Sequence, residues 1–173
     1  MDASTDTIRT QIVALLPRLR RFALSLTGNP ADADDLVQDA VERALRHLHQ
    51  WESGTRLDSW MFRIARNLFI DAKRSAIRRR RVLDDGEGDP IEAGFDGVRA
   101  VEASLTWRET CAALARLPEE QRSAIALVLI DGMSYRDAAS VLGVPVGTLT
   151  SRLARGRDAL AELMLGPATD MQS

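Results

Sequence analysis

The stretch that most constrains the fold is residues 134–160, which read SYRDAASVLGVPVGTLTSRLARGRDAL. Ser134 is a good helix N-cap, and Asp137 follows three residues later, close to a capping-box arrangement. Gly143 suits the left-handed residue that ends a helix, and Pro145 suits the first turn of the next one. The segment therefore predicts a helix-turn-helix, which places its second helix in the major groove of DNA.

The second helix of this motif separates into an apolar face and a polar face. Its leucines recur at a helical spacing and should face inward: Leu149, Leu153, Leu160 and Leu163. At about 100° per residue, the side chains of Thr148, Ser151 and Arg155 share the outward face, with Arg152 at its edge. Hydroxyls and guanidinium groups suit DNA bases and phosphates, although a solvated face with ordinary arginines has the same pattern.

Composition predicts an all-α protein without a metal or cofactor site. Aromatic residues make up only 5% of the 173 residues, and no alternating β-branched run is present. The single cysteine, Cys111, excludes an internal disulfide and suits packing at an apolar helical position. His47 and His49 fall on different helix faces, which argues against a shared metal ion. No nucleophile–base pair or phosphate loop is recognisable, so an enzyme is not expected.

The charge is unevenly distributed along the chain. Residues 1–82 carry a net charge of +5, whereas residues 83–106 carry −6. The stretch DDGEGDPIEAGFDG at residues 84–97 lacks helical periodicity and is typical of a flexible segment. This predicts two small helical domains, residues 1–82 and 101–173, joined by an acidic linker at residues 83–100. A disordered spacer with no further role is the alternative for the linker.

The first domain is predicted to contain three main helical segments. The first runs from about Thr5 to Leu26, and Pro17 should kink or split it. The second starts after the turn Gly28-Asn29-Pro30 and runs to about His49. The third runs from about residue 57 to residue 81. Its predicted apolar stripe is Leu57, Trp60, Met61, Ile64, Leu68 and Ala72, and its other side is basic.

The basic side of the third helix has more than one interpretation. It carries Arg63, Arg66, Asn67, Lys73, Arg74 and Arg78, followed by three further arginines. Such a helix is typical of a phosphate-binding surface, a membrane-surface segment or a solvated face. Trp51, in the loop before it, serves either packing or the stacking of an exposed base. In the second domain, the apolar run at residues 124–130 should be buried or partly reserved for a partner.

Taken together, residues 10–165 resemble the extracytoplasmic-function (ECF) class of alternative RNA polymerase sigma factors, in the sigma-70 family. The resemblance depends on DADDLVQDAVERAL at residues 32–45 and SWMFRIARNLFIDAKR at residues 59–74. It also depends on LPEEQRSAIAL at residues 117–127 and on the helix-turn-helix. The order and spacing of these motifs make the combination specific.

The resemblance implies roles for named residues. Docking to core RNA polymerase would involve Asp35, Leu36, Gln38, Asp39 and Glu42. The −10 promoter element would be bound by the loop at residues 51–58, which includes Trp51, and by the helix after it, with capture of an unstacked base that aids promoter melting. The residues of that helix are Arg63, Arg66, Asn67, Lys73 and Arg74. The −35 element would be read by Thr148, Ser151, Arg152 and Arg155. The family often has a basic residue where Thr150 stands, so one phosphate contact is missing from the pattern.

The resemblance also implies an anti-sigma factor as a partner, and neither a small-molecule substrate nor insertion into a membrane. No signal peptide or membrane-length apolar run is present, which favours a cytoplasmic location. Two other functions remain open. One is a helix-turn-helix regulator that works without polymerase, and the other is a sigma-like decoy that binds only the anti-sigma factor.

Overall fold

The computed structural model describes residues 3–83 and 103–165, and every regular element within these ranges is a helix. Residues 3–83 form the first half, with α1 at Ala3–Thr27, α2 at Pro30–Arg46, a short 3-10 turn at Leu48–Gln50 and α3 at Leu57–Leu83. Residues 103–165 form the second half, with α4 at Ala103–Ala115, α5 at Glu119–Ile125, a π-helical turn at Ala126–Ile130, α6 at Tyr135–Leu142 and α7 at Val146–Leu165. The all-α prediction is confirmed. The predicted linker from residue 84 onward lies outside the described residues.

The first half is a three-helix bundle around a core of large apolar side chains. The rings of Phe22 on α1 and Phe62 on α3 meet edge to face with centroids 5.0 Å apart. Of the two effects expected of Pro17, a split of the first segment does not occur, because α1 continues through this residue as one helix. Packing of α1 against α2 and α3 outweighs the loss of the backbone hydrogen bond that proline cannot donate.

The predicted apolar stripe of α3 is partly wrong. Leu57 and Met61 are buried as expected, but Ala72 is exposed and three other predicted members are only half-buried: Trp60, Ile64 and Leu68. The core side chains missed by the prediction are Phe62, Ala65 and Phe69. Because α1 and α2 both cover α3, its buried face is wider than one helical stripe and is centred elsewhere.

The second half has the predicted helix-turn-helix. The Ser134 hydroxyl accepts a hydrogen bond from the Asp137 N–H at 3.1 Å, which caps α6. Gly143 ends that helix in the left-handed conformation, with φ of 65°. Leu149 and Leu153 on α7 are buried, and Gly156 lets α7 approach α5 closely. The turn chemistry read from the sequence is therefore confirmed.

The two halves pack directly against each other, which the sequence did not indicate. The buried Arg122 guanidinium donates to the Leu26 carbonyl at the end of α1. It also donates to the carbonyls of Ala115 and Leu117, at 2.6 and 2.8 Å. A Cβ added at Gly28 would lie 3.1 Å from the Ala115 Cβ, so the backbone of the first half approaches α4 closely.

Candidate nucleic-acid interface

The outward face of α7 is a compact polar surface. Ser151 and Arg155 are exposed, and Thr148 is half-buried beside them. The Arg155 Nε donates to the Ser151 carbonyl at 3.3 Å, so this guanidinium lies along its own helix. Arg155 can leave that contact for a DNA acceptor at little cost, because an exposed hydrogen bond exchanges readily with water.

Arg152 lies at the edge of this face, as its angular position predicted. Only 17% of its side chain is exposed, and its guanidinium pairs with the Glu120 carboxylate at 3.2 Å. The neighbouring Thr150 is exposed, but its hydroxyl donates to the Val146 carbonyl at 2.9 Å within the helix. Arg152 is therefore engaged within the second half, and Thr150 offers no positive charge.

A cavity of about 530 Å³ lies beside the loop before α3. Trp51, Arg56 and Arg63 line it from the first half, together with Ser59, and Asp137 and Ser140 of α6 line it from the second half. The buried Trp51 Nε1 and Ser59 Oγ have no hydrogen-bond partner among the described residues. An indole ring beside two guanidinium groups suits a planar, polar ligand such as an unstacked base.

Arg56 holds the rim of this cavity in place. It forms a paired contact with Asp58, with Nη2 2.7 Å from Oδ2 and Nε 3.1 Å from Oδ1. This hydrogen bonding is the main reason that the pKa of the Asp58 carboxyl lies below its ordinary value, and the Arg56 and Arg18 charges lower it further. Arg56 lies within the loop at residues 51–58 that the resemblance assigned to the −10 element, although it was not singled out there, and Ser59 was missed. The signal present was their position at the start of the basic helix.

The six residues predicted to bind the −10 element lie in different environments. Arg63 donates to the Ser140 carbonyl at 2.9 Å, and Arg66 contacts the Glu119 carboxylate at 3.2 Å. Both acceptors belong to the second half. Of the other predicted residues, Trp51 lines the cavity, whereas Asn67, Lys73 and Arg74 lie exposed along α3.

Lys73 on α3 lies beside an aromatic ring. Its ammonium lies 5.5 Å from the centre of the Phe69 ring. Partial loss of solvent around this ammonium lowers its pKa, and the nearby Arg122 charge adds to the effect.

The predicted polymerase-docking helix borders an acid-rimmed groove. A cavity of about 570 Å³ lies between α2 and α3, and four aspartates line it beside the single Lys73. They are Asp32, Asp35, Asp39 and Asp71. Leu36 is only 8% exposed, so it belongs to the floor of the groove and to the core rather than to an open surface. Asp71 was missed, because α3 was read as a basic helix.

The remaining outer face of α2 carries the other predicted docking residues. Gln38 and Glu42 are exposed one turn apart, and the Gln38 amide donates to the Glu42 carboxylate at 3.4 Å. Glu42 also pairs with Arg46 at 3.1 Å. These are ordinary exposed contacts that a basic partner can replace.

The last observations concern Cys111, metal-ligating side chains and membrane-spanning helices. Cys111 is fully buried, and burial raises the pKa of its thiol to about 12, so it is a packing residue as predicted. Within residues 3–83 and 103–165, no group of three or more metal-ligating side chains occurs. Among the helices of these same ranges, none combines the length and apolar character needed to cross a membrane.

Comparison with known families identifies both halves. The family described as Sigma-70 region 2 matches residues 12–81, and the family described as Sigma-70, region 4 matches residues 111–160. The chain is also 42% identical over 160 residues to the ECF RNA polymerase sigma factor EcfG of Rhodopseudomonas palustris (strain TIE-1). That match covers 92% of this chain and 86% of the relative. The chain belongs to the sigma-70 family.

The particular class within the family follows from the relatives. A second one, ECF RNA polymerase sigma factor SigC of Mycobacterium tuberculosis (strain CDC 1551 / Oshkosh), is 37% identical over 140 residues, covering 81% of this chain and 74% of its own. A solved structure, the sigma factor RpoE in complex with the anti-sigma factor NepR from Bartonella quintana, matches with a TM-score of 0.77 and 32% identity. It covers 92% of this chain and 98% of that one. The predicted ECF class is confirmed.

Proposed function

We propose that this sigma factor recruits core RNA polymerase to a restricted set of promoters and helps to open them, with each domain reading one promoter element. Residues 1–82 would form the domain for polymerase and the −10 element, and residues 101–173 the domain for the −35 element. The family matches at residues 12–81 and 111–160 support this division. The observation that carries the proposal is the presence, in one chain, of an exposed recognition face on α7 and a base-sized cavity beside the basic helix α3.

The −35 element is assigned to Ser151, Arg155 and Thr148, with Arg152 as an edge contact once it leaves Glu120. The −10 element is assigned to the cavity around Trp51 and to the basic side of α3: Arg63, Arg66, Asn67, Lys73 and Arg74. Flipping a base out of the duplex costs a few kcal/mol, which a preformed cavity offsets. Melting then needs no catalytic site and no fuel molecule of its own.

Docking to core polymerase is assigned to the acid-rimmed groove and the outer face of α2, through Asp35, Gln38, Asp39 and Glu42. Their acidic character suits a basic partner surface, because complementary charges favour encounter and fix the register of the two proteins. Leu36, at the floor of the groove, would contribute only a narrow apolar contact. Since core polymerase acts on the chromosome, we infer a cytoplasmic site of action.

An anti-sigma factor is proposed as a further partner. The similar RpoE structure contains the anti-sigma factor NepR, and this chain matches it over nearly its whole length. Large apolar side chains are also exposed at Val13, Leu129, Val146 and Leu165, which suits coverage by a helical partner. Co-expression with candidate inhibitors should give a stable complex that suppresses transcription. A fully active protein to which no inhibitor binds would contradict this part.

The decisive experiment is in vitro transcription with purified core polymerase on genomic fragments. Transcripts that require both proteins are expected. DNA binding that never depends on core polymerase would instead favour an independent helix-turn-helix regulator, and binding to an inhibitor without any DNA binding would favour a decoy.

The −35 assignment has its own test on any promoter found in this way. Arg155→Ala should weaken promoter use by about 1–3 kcal/mol if the guanidinium contacts a base. Arg157→Ala is the matched control, because Arg157 is exposed on the same helix but lies on a different face. Equal effects of the two substitutions would remove Arg155 from the −35 site.

A further inference from the structure

Lys73 differs chemically from every other Lys or Arg position of the chain. The sequence contains 23 Lys and Arg residues, and all of them are arginines except Lys73. A guanidinium keeps its charge at any accessible pH, whereas the amine of a lysine becomes a nucleophile once it loses a proton. The chain therefore carries one side-chain amine, and this amine lies on the basic helix α3.

The surroundings of Lys73 are those of a small-ligand site. It lines the acid-rimmed groove of about 570 Å³, a volume within the range of pockets that hold small ligands. Its side chain is exposed, and its ammonium forms no ion pair with any of the described residues. Four aspartates share the lining of the groove, yet none of them pairs with the amine. The amine is thus open to solvent and is not held by a carboxylate.

The groups around Lys73 favour its neutral form. The ammonium lies 5.5 Å from the centre of the Phe69 ring on the same helix. Partial loss of solvent is the main cause of its lowered pKa, the Arg122 charge on α5 lowers it further, and the Glu119 charge opposes both. A lower pKa increases the neutral fraction of the amine at neutral pH. A partly desolvated lysine beside another cation is the usual form of a nucleophilic lysine.

We propose that Lys73 is an acylation site, at which the amine takes an activated acyl group from a small phosphate-bearing donor. The donor is either an acyl phosphate or the thioester of a phosphorylated carrier. Arg74 and Arg78 are exposed on the same helix, and their charges raise the local concentration of such an anionic donor. This inference rests on the proposed function only for its consequence, because Lys73 belongs to the residues assigned to the −10 element.

The reaction transfers an acyl group without oxidation or reduction. The neutral Lys73 nitrogen attacks the carbonyl carbon of the donor, and a carbon–nitrogen bond forms. With an acyl phosphate, the bond from that carbon to the bridging oxygen breaks, and the phosphate leaves with the bonding electrons. The proton from the nitrogen ends on the phosphate, so the products are an amide and hydrogen phosphate. With a thioester, the carbon–sulfur bond breaks instead, and the released thiol takes the proton.

Acylation removes one positive charge from the basic side of α3. The amide that forms cannot pair with a DNA phosphate. One phosphate contact to single-stranded DNA contributes about 0.7 to the slope of log affinity against log salt, which corresponds to about fivefold in affinity at about 0.1 M salt. The acylated protein should therefore use its promoters about fivefold less well at this salt concentration.

The chemical test compares two positions for the one lysine. The variant Lys73→Arg with Arg78→Lys keeps the net charge and a single lysine, but its amine lies outside the lining of the groove. Each full-length protein is incubated with acetyl phosphate alone or with acetyl-coenzyme A alone, and acetylation is followed by peptide mass spectrometry. The α-amino group, present in both proteins, is the internal reference. Lys73 is expected to react at least about threefold faster than the amine at position 78.

A second comparison needs no variant. In concentrated guanidinium the groove is lost and the amine regains its ordinary pKa, so the rate at Lys73 should fall relative to the α-amino group. Initial rates from about pH 7 to about pH 11 add a pH profile, whose midpoint should be lower at Lys73 than at position 78. The four aspartates of the groove, Glu119 and Arg122 stay charged throughout this range, so the profile reports the amine.

The functional test separates the charge of residue 73 from its amine. Lys73→Gln removes the charge as acylation does, whereas Lys73→Arg keeps a charge and offers no amine. In transcription with core polymerase at about 0.1 M salt, Lys73→Gln should give about fivefold fewer transcripts than Lys73→Arg. Prior incubation with the donor, which is removed before polymerase is added, should lower transcription by the unaltered protein but not by Lys73→Arg.

The inference is overturned if, with both donors, Lys73 reacts no faster than the amine at position 78, or no faster when folded than when denatured. Faster reaction with acetyl phosphate identifies an acyl phosphate as the donor, and faster reaction with acetyl-coenzyme A identifies a thioester. Equal transcription by Lys73→Gln and Lys73→Arg would reject the regulatory consequence. The proposed function fails separately, through the absence of core-dependent transcripts, and that outcome leaves the acylation rates unaffected.

Discussion

The two glycines of α7 predict opposite effects of the same substitution. A Cβ added at Gly156 would lie 2.9 Å from the Ile125 Cδ1, 3.1 Å from the Gln121 Cβ and 3.3 Å from the Gln121 carbonyl oxygen. A Cβ added at Gly147 meets nothing within 4 Å. Alanine is the better helix former at both positions, by up to about 1 kcal/mol. Only at Gly156 does packing oppose that gain.

The magnitude for Gly156→Ala follows from these distances. The Ile125 methyl has little room to move, because Ile125 is only 2% exposed. The Gln121 carbonyl belongs to the backbone of α5 and moves only with that helix. Overpacking of a tight core contact costs about 1–3 kcal/mol, which exceeds the propensity gain. We expect Gly156→Ala to lower the free energy of unfolding by about 1 kcal/mol, and Gly147→Ala to raise it by about 0.5 kcal/mol.

Urea unfolding followed by circular dichroism measures both variants against the unaltered protein. At a slope of about 2 kcal/mol per molar urea, the two midpoints should differ by about 0.75 M, with the unaltered protein between them. If Gly156→Ala were as stabilising as Gly147→Ala, the close approach of α5 and α7 would be refuted. A destabilised Gly156→Ala variant should also use the −35 element less well, because α7 carries Ser151 and Arg155.

Three further predictions concern caps, buried charge and the thiol. Arg122→Met should lower the free energy of unfolding by about 3 kcal/mol, since three carbonyls lose a charged donor, and urea unfolding would show whether the guanidinium is dispensable. Ser134→Ala should cost about 1 kcal/mol and Ser134→Gly only a few tenths, and equal costs would argue against the capping bond to Asp137. Cys111 should react with a thiol reagent at pH 8 about 100-fold more slowly in the folded chain than in urea, and a fast native reaction would contradict its burial. Because burial raises the pKa of this thiol to about 12, its neutral form is favoured in the folded state; the associated stability is full below about pH 9 and is lost as the pH rises toward about 12.

The sequence predicted helix starts and ends well where a residue type has one dominant backbone role, such as capping a helix. Asn29 caps α2 through its side-chain oxygen, 2.8 Å from the Ala31 N–H, directly before the proline that begins the helix. Gly143 and Ser134 likewise mark the helix-turn-helix in the sequence as they do in the structure. Pro17 does not split α1, because the effect of a proline depends on how strongly the rest of its helix is held by other helices.

The residues of the candidate site likewise divide into those whose surroundings could be predicted from the sequence and those whose surroundings could not. Ser151 and Arg155 could be placed by angular spacing, because Leu149 and Leu153 are buried on the opposite face of α7. Angular spacing could not place Leu36 or the basic residues of α3, because two helices cover α3 and the second half contacts Arg63 and Arg66. Helical spacing gives an angle around an axis, but it does not say which neighbours surround that axis.

By itself, the sequence determined that this protein is all-helical, that it carries a helix-turn-helix and that its motifs match an ECF sigma factor. Those features depend on backbone preferences and side-chain periodicity within a few turns of helix. Only the tertiary structure decided that the halves meet, that Arg122 binds the end of α1 across them, and that Asp137 and Ser140 cover the cavity beside Trp51. Such contacts join residues some 80 to 100 positions apart, from Arg63 with Ser140 to Arg122 with Leu26. They depend on complementary charge and shape in three dimensions, for which no local pattern in the chain gives a signal.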